Sequence, residues 1–413
     1  MGVKEILKEE AELILPSKEE ISGLEKSAKE FISLLKTKGL IAFVGGSLAK
    51  GTMIKKNGKQ DIDIFVVFDY SEKMSKLESV LGKIKLPGEL KKVHGSRDYF
   101  QIECSNVVLE VIPVVRNEDP ELAENVTDVS LSHVKYVRAQ IAKNKAISDE
   151  IRLAKAFCRA NRCYGAEGYV RGFSGYSLEV LVSYFGGFIQ FLKGVQKKKV
   201  IDPLKQFKKE SDVMRELNAS KLQGPLVLVD PTFKYRNVTA GLGFETYGRF
   251  VEVANAFLKK PSLSFFESKK TDVESLRDFA KKKKAVFIEL ELSTDRQEGD
   301  IAGTKMRKFL DFFSRELVRK QQKVLNKEFE YSGKGKKARG YLVVQEFKEI
   351  EVKGPNADLT DAVKSFLKSR KKTAFKRKNY MWAKEKVSIK DIFLEANKIG
   401  KEMGAVGKLI TLK

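Results

Sequence analysis

Two carboxylates stand two residues apart at the start of an apolar run, and a glycine-rich turn precedes them. Residues 45–47 read Gly-Gly-Ser, thirteen residues follow, and Asp61 and Asp63 then lead into the apolar residues 64–68. Side chains alternate along a strand, so Asp61 and Asp63 share one face. Oxygen-only ligands suit Mg²⁺, which proteins commonly hold with one or two carboxylates and substrate phosphates. The pair predicts a cation site, with a solvated acidic strand as the alternative.

The turn at residues 45–47 has the composition of a phosphate cradle. It follows the apolar residues 40–44 and opens a short predicted helix, which would aim backbone N–H groups and the Ser47 hydroxyl at an anion. Triphosphate and metal would then meet at one place.

A third carboxylate strengthens this interpretation. Glu110 is the only charge in residues 107–115, a run rich in β-branched side chains. A charge in such a strand is rarely buried without a purpose. The alternative is a glutamate at a solvent-exposed edge.

Together these residues resemble the signature of the nucleotidyltransferase fold of the DNA polymerase β superfamily. That signature is Gly-Ser, about a dozen residues, Asp-x-Asp, and a third acid on a later strand. The resemblance implies an α/β catalytic domain with a small mixed sheet, which we place at residues 1–140.

Composition bounds the remaining choices. With 413 residues the chain is too long for one core and fits roughly two to four domains. The first twenty residues carry no signal-peptide apolar segment and no run reaches eighteen apolar residues, so we expect a cytoplasmic protein without a membrane segment. Cys104, Cys158 and Cys163 show no metal-ligand spacing, and their odd number does not fit a disulfide framework. Reduced thiols and no zinc site are predicted.

The net charge of +24 is unevenly distributed. Residues 1–140 carry 21 basic and 22 acidic side chains, whereas residues 141–413 carry 58 basic and 33 acidic ones. The asymmetry favours a polyanionic partner for the last two-thirds, with a generally basic surface as the alternative. Within this part, the run from residue 368 to 378 contains one aromatic side chain, Phe375, and predicts a phosphate-binding surface that includes Lys371, Lys372 and Lys376.

Hydrophobic periodicity outlines the elements. Helices are expected before Pro16 and, capped by Ser17, up to Leu35, both packing behind the sheet. Residues 141–260 read as mostly helical, with Ser174 capping a helix over residues 175–193. From residue 261 to 413 we expect a strand at 285–292, a helix at 303–325, two strands in 329–352, a helix at 358–371 and a strand pair near 380–387. This β-α-β-β-α-β order predicts a ferredoxin-like or RRM-like module, although no RNP-type aromatic signature is present.

An ordered set of motifs extends the resemblance to nearly the whole chain. The chain is identified as a member of the archaeal, class I, CCA-adding enzymes by residues 164–167, 171–176, 229–231, 236–238 and 261–263. The resemblance implies an α/β and α+β multidomain tRNA nucleotidyltransferase. Such an enzyme builds the 3′-terminal C-C-A of tRNA from CTP and ATP, without a nucleic-acid template, by two-metal nucleotidyl transfer with Mg²⁺.

The same resemblance implies roles for individual positions. Asp61, Asp63 and Glu110 become the catalytic metal ligands. Nucleotide contacts fall on seven positions, namely Ser47, Lys50, Ser130, His133, Lys155, Tyr164 and Arg236. A lone histidine is more often structural than functional, so the role of His133 in nucleotide binding is expected only from the resemblance.

Three departures from the family pattern stand out. Asp61 occupies a position usually held by Glu, Glu110 one usually held by Asp, and Lys50 one usually held by arginine. Two alternatives therefore stay open: a poly(A) or oligoadenylate polymerase of the same superfamily, and a catalytically silent tRNA-binding protein. The sequence leaves the oligomeric state open, a homodimer included.

Overall fold

The computed structural model describes residues 2–56, 58–69, 75–95, 97–116, 123, 125–370 and 372–413. The chain folds as two compact units. The first comprises the chain up to Ala166 together with Val170–Ser268, and the second comprises Glu167–Tyr169 and Lys269–Lys413. Lys371, predicted to bind tRNA, lies outside the described residues.

A five-stranded mixed sheet is the framework of the first unit. Its strands, in chain order, are β1 (Ile41–Val44), β2 (Gln60–Phe68), β3 (Glu89–Val93), β4 (Tyr99–Glu103) and β5 (Val107–Val115). They are arranged in the order β1-β2-β5-β4-β3. Strands β2 and β5 run parallel, whereas the other neighbours run antiparallel. The small mixed sheet predicted for the catalytic region is confirmed.

The described residues before position 82 also form helices. They are α1 (Val3–Ile14), α2 (Lys18–Lys36), α3 (Gly46–Lys50) and α4 (Ser75–Leu81). The predicted cap of α2 is confirmed, because Ser17 Oγ accepts a hydrogen bond from the Glu20 backbone N–H. Helix α2 packs its buried face on the sheet core, as expected. The same expectation is wrong for α1, which packs against the helical part of the unit.

The rest of the first unit is mostly helical. Its helices are α5 (Ser130–Lys143), α6 (Ile147–Ala160), α7 (Gly175–Phe185), α8 (Phe188–Gly194), α9 (Glu210–Glu216) and α10 (Phe244–Lys259). Their core is rich in fully buried aromatic rings, namely Phe157, Phe173, Phe188, Phe191, Phe250 and Phe257. A small sheet of β6 (Val200–Ile201), β7 (Val227–Asp230) and β8 (Phe233–Asn237) lies beside them.

The helix predicted over residues 175–193 is two helices. Ser174 caps α7 as expected, accepting from the Ser177 N–H at 3.0 Å. The helix then ends because Gly186 and Gly187 take φ angles of +80° and +152°, which only glycine adopts easily. Among the described residues no single helix is long and apolar enough to cross a membrane; α7 and its successor meet that test only as a pair bent by 93°.

The second unit contains two sheets. Its elements, in chain order, are α11 (Val273–Lys282), β9 (Val286–Ser293), α12 (Asp300–Arg319), β10 (Lys323–Glu330), β11 (Lys337–Gln345), β12 (Glu349–Asn356), α13 (Thr360–Arg370), β13 (Ala374–Arg377), β14 (Tyr380–Lys386), α14 (Ile389–Met403) and β15 (Val406–Leu412). One antiparallel sheet has the order β10-β11-β9-β15, with α12 and α14 in its core. The other has the order β12-β14-β13.

One helix boundary and one sheet assignment predicted for this region are wrong. Helix α12 stops at Arg319 because Gln321 takes a φ of +57°. Residues 323–325, predicted to end this helix, begin strand β10 instead. The helix and strand pair predicted at 358–387 do not complete the four-stranded sheet. They form the inserted sheet β12-β14-β13 with α13, while α14 and β15 complete the larger one.

A three-residue segment of the glycine-rich loop belongs to the second unit. The Gly168 N–H donates to Asp300 Oδ1 at 2.8 Å, and the Tyr169 ring meets the Tyr331 ring edge-on at 5.2 Å. Gly303 accommodates this contact because a Cβ there would lie 2.5 Å from the Tyr169 ring. The segment Glu167–Tyr169 therefore belongs to the second unit and packs against its core through Tyr169.

Candidate active site

The three predicted metal-ligating carboxylates lie on adjacent strands. Asp61 and Asp63 are in β2, Glu110 is in the parallel neighbour β5, and Asp63 is the register partner of Glu110. The residues that alternate with these acids, among them Ile62 and Ile64, are fully buried in the sheet core. Alternation therefore places the carboxylates together on the other face.

The glycine turn presses directly against Asp63. Gly46 has a φ of +56°, and a Cβ on it would lie 1.6 Å from Asp63 Oδ2. The Gly45 N–H donates to the Asp63 carbonyl at 2.8 Å, which ties the turn to β2. Only glycine permits this approach, so the turn and Ser47 in α3 are held beside the acids.

Burial disfavours the ionised forms of Asp63 and Glu110. Burial raises the pKa of Asp63, and burial followed by the negative charge of Asp63 raises the pKa of Glu110 to about 7. Gln101 Nε2 donates to Glu110 Oε1 at 2.9 Å and partly offsets this rise. Neighbouring carboxylates of this kind are stabilised by a cation between them.

The donor set fits a divalent metal ion. Within the described part of the chain, no group of three or more His, Cys, Asp or Glu side chains is already gathered as a metal site. Lys56 instead pairs with Asp61 and supplies a positive charge to the cluster. Carboxylate oxygens whose pKa values are raised by burial are ligands that a hard cation would stabilise.

Two predicted nucleotide contacts, Lys50 and Lys155, share one buried counter-ion. Their Nζ atoms donate to the two oxygens of Glu179, each at 2.8 Å. Thr52 Oγ1 also donates to Glu179, at 2.7 Å, and accepts from Lys155 at 2.9 Å. Burial raises the pKa of Glu179, but the two ammonium groups outweigh burial and lower it to about 2. Glu179 is therefore ionised and fixes both lysines.

A second buried acid holds His133 and Arg236. Asp230 accepts from Arg236 Nη1 at 2.6 Å and from Tyr176 Oη at 2.9 Å, and His133 Nε2 lies 3.2 Å away. Burial raises the pKa of Asp230, but the bond from His133 and the charges of His133 and Arg236 hold it well below its usual range. Burial lowers the pKa of His133.

Tyr176 joins the two clusters. Its ring stacks on His133 at a centroid distance of 3.8 Å, and both Lys50 Nζ, at 5.5 Å, and the Arg236 guanidinium, at 5.9 Å, lie over it. Tyr164 lies close by, since a Cβ on Gly175 would be 3.0 Å from its hydroxyl and 3.9 Å from Lys155 Nζ. The structure thus brings Lys50, Lys155, Tyr164, His133 and Arg236 into one region.

A cavity of about 470 Å³ opens beside Arg236. It is lined mainly by polar and aromatic side chains, among them Asn125, Ser174, Asn218, Lys221, Phe233, Tyr235, Arg236 and Asn237. Ser130 follows Val129, which also lines it, and begins α5. A cavity of this size can take a nucleoside.

Sequence reasoning missed the acids that organise this region. Glu179 is the only charge in α7, which is otherwise apolar or small, and Asp230 ends an apolar strand. Both acids, like Glu110, are single charges in apolar runs, where burial is costly unless the charge serves a function. The partners of these acids, by contrast, could not be read from spacing, because Lys50 and Glu179 are 129 residues apart.

The sequence is similar to those of known tRNA nucleotidyltransferases. The family model described as "tRNA nucleotidyltransferase, second domain" matches residues 149–267. The chain is 34% identical to the CCA-adding enzyme of Nanoarchaeum equitans over 274 residues, covering 64% of this chain and 67% of that enzyme. The CCA-adding enzyme of Thermococcus kodakarensis is 33% identical, over 64% of this chain and 61% of that protein. The CCA-adding enzyme of Methanocaldococcus jannaschii is 28% identical, over 79% of this chain and 75% of that protein.

Solved structures place the fold. A cytoplasmic RNA terminal U-transferase superposes with a TM-score of 0.50 at 15% identity, covering 65% of this chain and 99% of that one. A structure described for its RNA terminal uridylyl transferase activity superposes with a TM-score of 0.51 at 12% identity, covering 65% of this chain and 98% of that one. At this identity the likeness establishes a nucleotidyltransferase fold. On the sequence relationships, the chain belongs to the CCA-adding enzymes and is a tRNA nucleotidyltransferase.

Proposed function

We propose that this chain adds and repairs the 3′-terminal C-C-A of tRNA, using CTP and ATP without a nucleic-acid template and releasing pyrophosphate. The observation that carries the chemistry is the register pairing of Asp63 with Glu110 beside the Gly46 turn. It gathers acids and phosphate-binding backbone at one point. The names of the archaeal relatives supply the substrate.

Asp61, Asp63 and Glu110 would hold Mg²⁺. When bound, the metal supplies Lewis-acid stabilisation for in-line attack of the RNA 3′-hydroxyl on the α-phosphate. The longer Glu110 side chain and the shorter Asp61 side chain compensate each other in reach. This exchange keeps the acid inventory, which argues against the catalytically silent alternative.

Lys50 and Lys155 neutralise charge on the triphosphate and on the leaving pyrophosphate. Glu179 cancels one of their two charges and leaves one positive charge in a site from which water is largely excluded. The Ser47 hydroxyl and the backbone of the turn add hydrogen-bond donors. Tyr164, beside Lys155, limits the space for the phosphates.

Arg236, His133 and Ser130 contact the incoming nucleoside. Arg236 donates to Asp230 through Nη1, which also lies 3.1 Å from His133 Nε2, and its remaining N–H groups are available to a base edge. Asp230 and Tyr176 fix the orientation of both side chains. The adjoining cavity of about 470 Å³ receives the base.

Three functional regions divide the work: a catalytic domain at residues 1–140, a central nucleotide and tRNA domain at 141–260, and a basic tRNA-binding body and tail at 261–413. The order β9-α12-β10-β11-α14-β15, with the sheet order β10-β11-β9-β15, supports a ferredoxin-like module in the last region. Exposed Lys372 and Lys376 would contact tRNA phosphates, and Lys371, outside the described residues, stays a third predicted contact.

Incubation of tRNA that lacks its C-C-A end with CTP, with ATP and with both tests the proposal. Sequencing of the 3′ ends should show C-C with CTP alone and C-C-A with both nucleotides. Tails of A alone would identify a poly(A) or oligoadenylate polymerase. Unextended tRNA would identify a silent tRNA-binding protein.

A further inference from the structure

The inserted sheet β12-β14-β13 has two different faces. Helix α13 covers one face, where Ile350 and Ala383 are buried and Gly354 makes room for the Phe366 ring. The opposite face carries aromatic and basic side chains with partial or full exposure. We call this second face, defined by Lys353, Phe375, Arg377, Tyr380 and Trp382, the outer face.

The aromatic side chains of the outer face are aligned in rows across the strands. Lys353, Trp382 and Phe375 form one row of register partners. Tyr380 and Arg377 form the next row on the same face. The register brings the Phe375 and Trp382 side chains side by side on this face.

Cations are held over these rings. The Arg377 guanidinium lies 5.1 Å from the Phe375 ring and 5.2 Å from the Trp382 ring, and Glu351 fixes it through two hydrogen bonds of 2.7 and 2.8 Å. Lys353 Nζ lies 3.4 Å from the centre of Tyr380. Rings and guanidinium planes are the groups on which nucleobases stack.

The surroundings of the outer face attract a polyanion. Lys384 and Lys386 project from the same face of β14, and exposed Lys378 lies at the β13–β14 turn. Acidic residues on this face, Glu349 and Glu351, are each already paired with a cation. The charge complements nucleic acid, while the rings offer a contact that phosphate does not use.

We propose that the outer face binds unpaired nucleobases of RNA by stacking. The proposal rests on the proposed function, because that function makes tRNA the natural source of those bases. This role differs from the phosphate contacts expected from the basic run alone. Aromatic rings stack on any base, so the outer face would not select a base sequence. It would bind RNA whose bases are unpaired and would not bind a continuous duplex, whose bases are stacked on each other.

Trp382 provides its own probe, because it is the only tryptophan in the chain. Tryptophan fluorescence of the full-length protein therefore reports this face alone. We expect saturating quenching by tRNA lacking its C-C-A end and by an unstructured oligopyrimidine RNA. A blunt-ended RNA duplex carrying the same number of phosphates should leave the fluorescence nearly unchanged. Equal quenching by the duplex would overturn the proposal in favour of backbone binding.

Variants separate stacking from charge. Trp382→Leu should weaken tRNA binding about 5- to 100-fold, as for the loss of one base stack, and leave the slope of log affinity against log salt unchanged. Trp382→Phe keeps a ring and should retain most of the affinity. Lys386→Ala, the matched control on the same face of the same strand, should reduce the salt slope instead. An unchanged affinity in folded Trp382→Leu would overturn the proposal.

The two proposals fail separately. If tRNA is extended to C-C-A while saturating tRNA leaves Trp382 fluorescence unchanged, the stacking face is wrong and the proposed function stands. If the oligopyrimidine quenches Trp382 but tRNA is never extended, the stacking face stands and the proposed function is wrong.

Discussion

Single acidic side chains determine where the lysine and arginine side chains of this site lie. Glu110 could be predicted because one charge in a β-branched strand is costly unless it serves a function. Glu179 and Asp230 obey the same rule and fix Lys50, Lys155 and Arg236 from elements distant in sequence. The lysines could be predicted as phosphate ligands, but not the counter-ion that positions them.

Removal of Glu110 tests the metal assignment. Glu110→Ala should lower single-turnover addition of C and A by roughly 10³-fold or more, because a metal ligand is lost, while nucleotide affinity changes little. Glu110→Asp should lose less, and Asp61→Glu combined with Glu110→Asp should recover part of the rate. Near-normal turnover of Glu110→Ala would remove Glu110 from the site.

Replacement of Glu179 by glutamine tests the shared counter-ion. Two buried ammonium groups would lose their partner, so the free energy of unfolding at pH 7 should fall by about 3–5 kcal/mol. A depressed carboxyl pKa contributes stability above pH 4.5, its value when unfolded, and loses it as pH falls toward about 2. Denaturant titration should therefore show the gap between wild type and Glu179→Gln narrowing from pH 5 to pH 3.

Exposed Glu252 in α10 supplies the matched control for that measurement. Glu252→Gln should change the unfolding free energy by less than about 0.5 kcal/mol at either pH. A Glu179→Gln variant as stable as this control would mean that the lysines do not depend on Glu179.

Arg236 is best tested with a substitution that keeps its charge. Arg236→Lys can still pair with Asp230, so stability should change by less than about 1 kcal/mol, whereas the paired donors for a base edge are lost. The KM for CTP and ATP should rise, or discrimination between them should fall. Unchanged kinetics for both nucleotides would make Arg236 a structural residue.

At the scale of elements, the turn before α3 is as important as the strands. Its role could be predicted from residues 45–47, and the acidic strands from their period of two. The end of α7 at Gly186 and Gly187 could not be predicted, because two adjacent glycines in an otherwise apolar helical run do not by themselves indicate a positive φ. The sheet β12-β14-β13 was misassigned because the order of elements resembles that of the larger module, and only the pairing distinguishes them.

Gly46 and Gly51 permit a controlled test of the turn. Both have positive φ, +56° and +69°, but a Cβ would meet Asp63 at Gly46 and nothing within 4 Å at Gly51. Each alanine variant should lose about 1–2 kcal/mol of stability from the backbone. Gly46→Ala should in addition lose roughly 100-fold or more in nucleotide addition, whereas Gly51→Ala should stay near wild type. Equal activities would show that the approach to Asp63 is not needed.

At the scale of the whole molecule, charge separates catalysis from RNA binding. The nearly neutral residues 1–140 hold the acids, and the excess of basic side chains lies entirely beyond them. This asymmetry was visible in the sequence. The aromatic outer face was not, because Phe375 and Trp382 become neighbours only through strand pairing.

Salt dependence measures how much of tRNA binding is electrostatic. Log affinity should fall linearly with log salt, by roughly 0.7–0.9 for each phosphate neutralised. Lys372→Glu with Lys376→Glu, alone or with Lys371→Glu, should weaken tRNA binding and leave ATP binding intact. The same reversals at exposed Lys26 and Lys29 of α2 are the control and should have little effect. Affinity independent of salt would contradict this account.

The segment Glu167–Tyr169 constrains how this protein can be divided. Its neighbours on both sides belong to the first unit, yet Gly168 and Tyr169 bind Asp300 and Tyr331 in the second. A fragment ending at Ser268 would carry this segment without its partners, and a fragment starting at Lys269 would lack a piece of its own core. The two units therefore cannot be exchanged between homologues by a single crossover, and insertion or deletion in the glycine-rich loop would alter both at once.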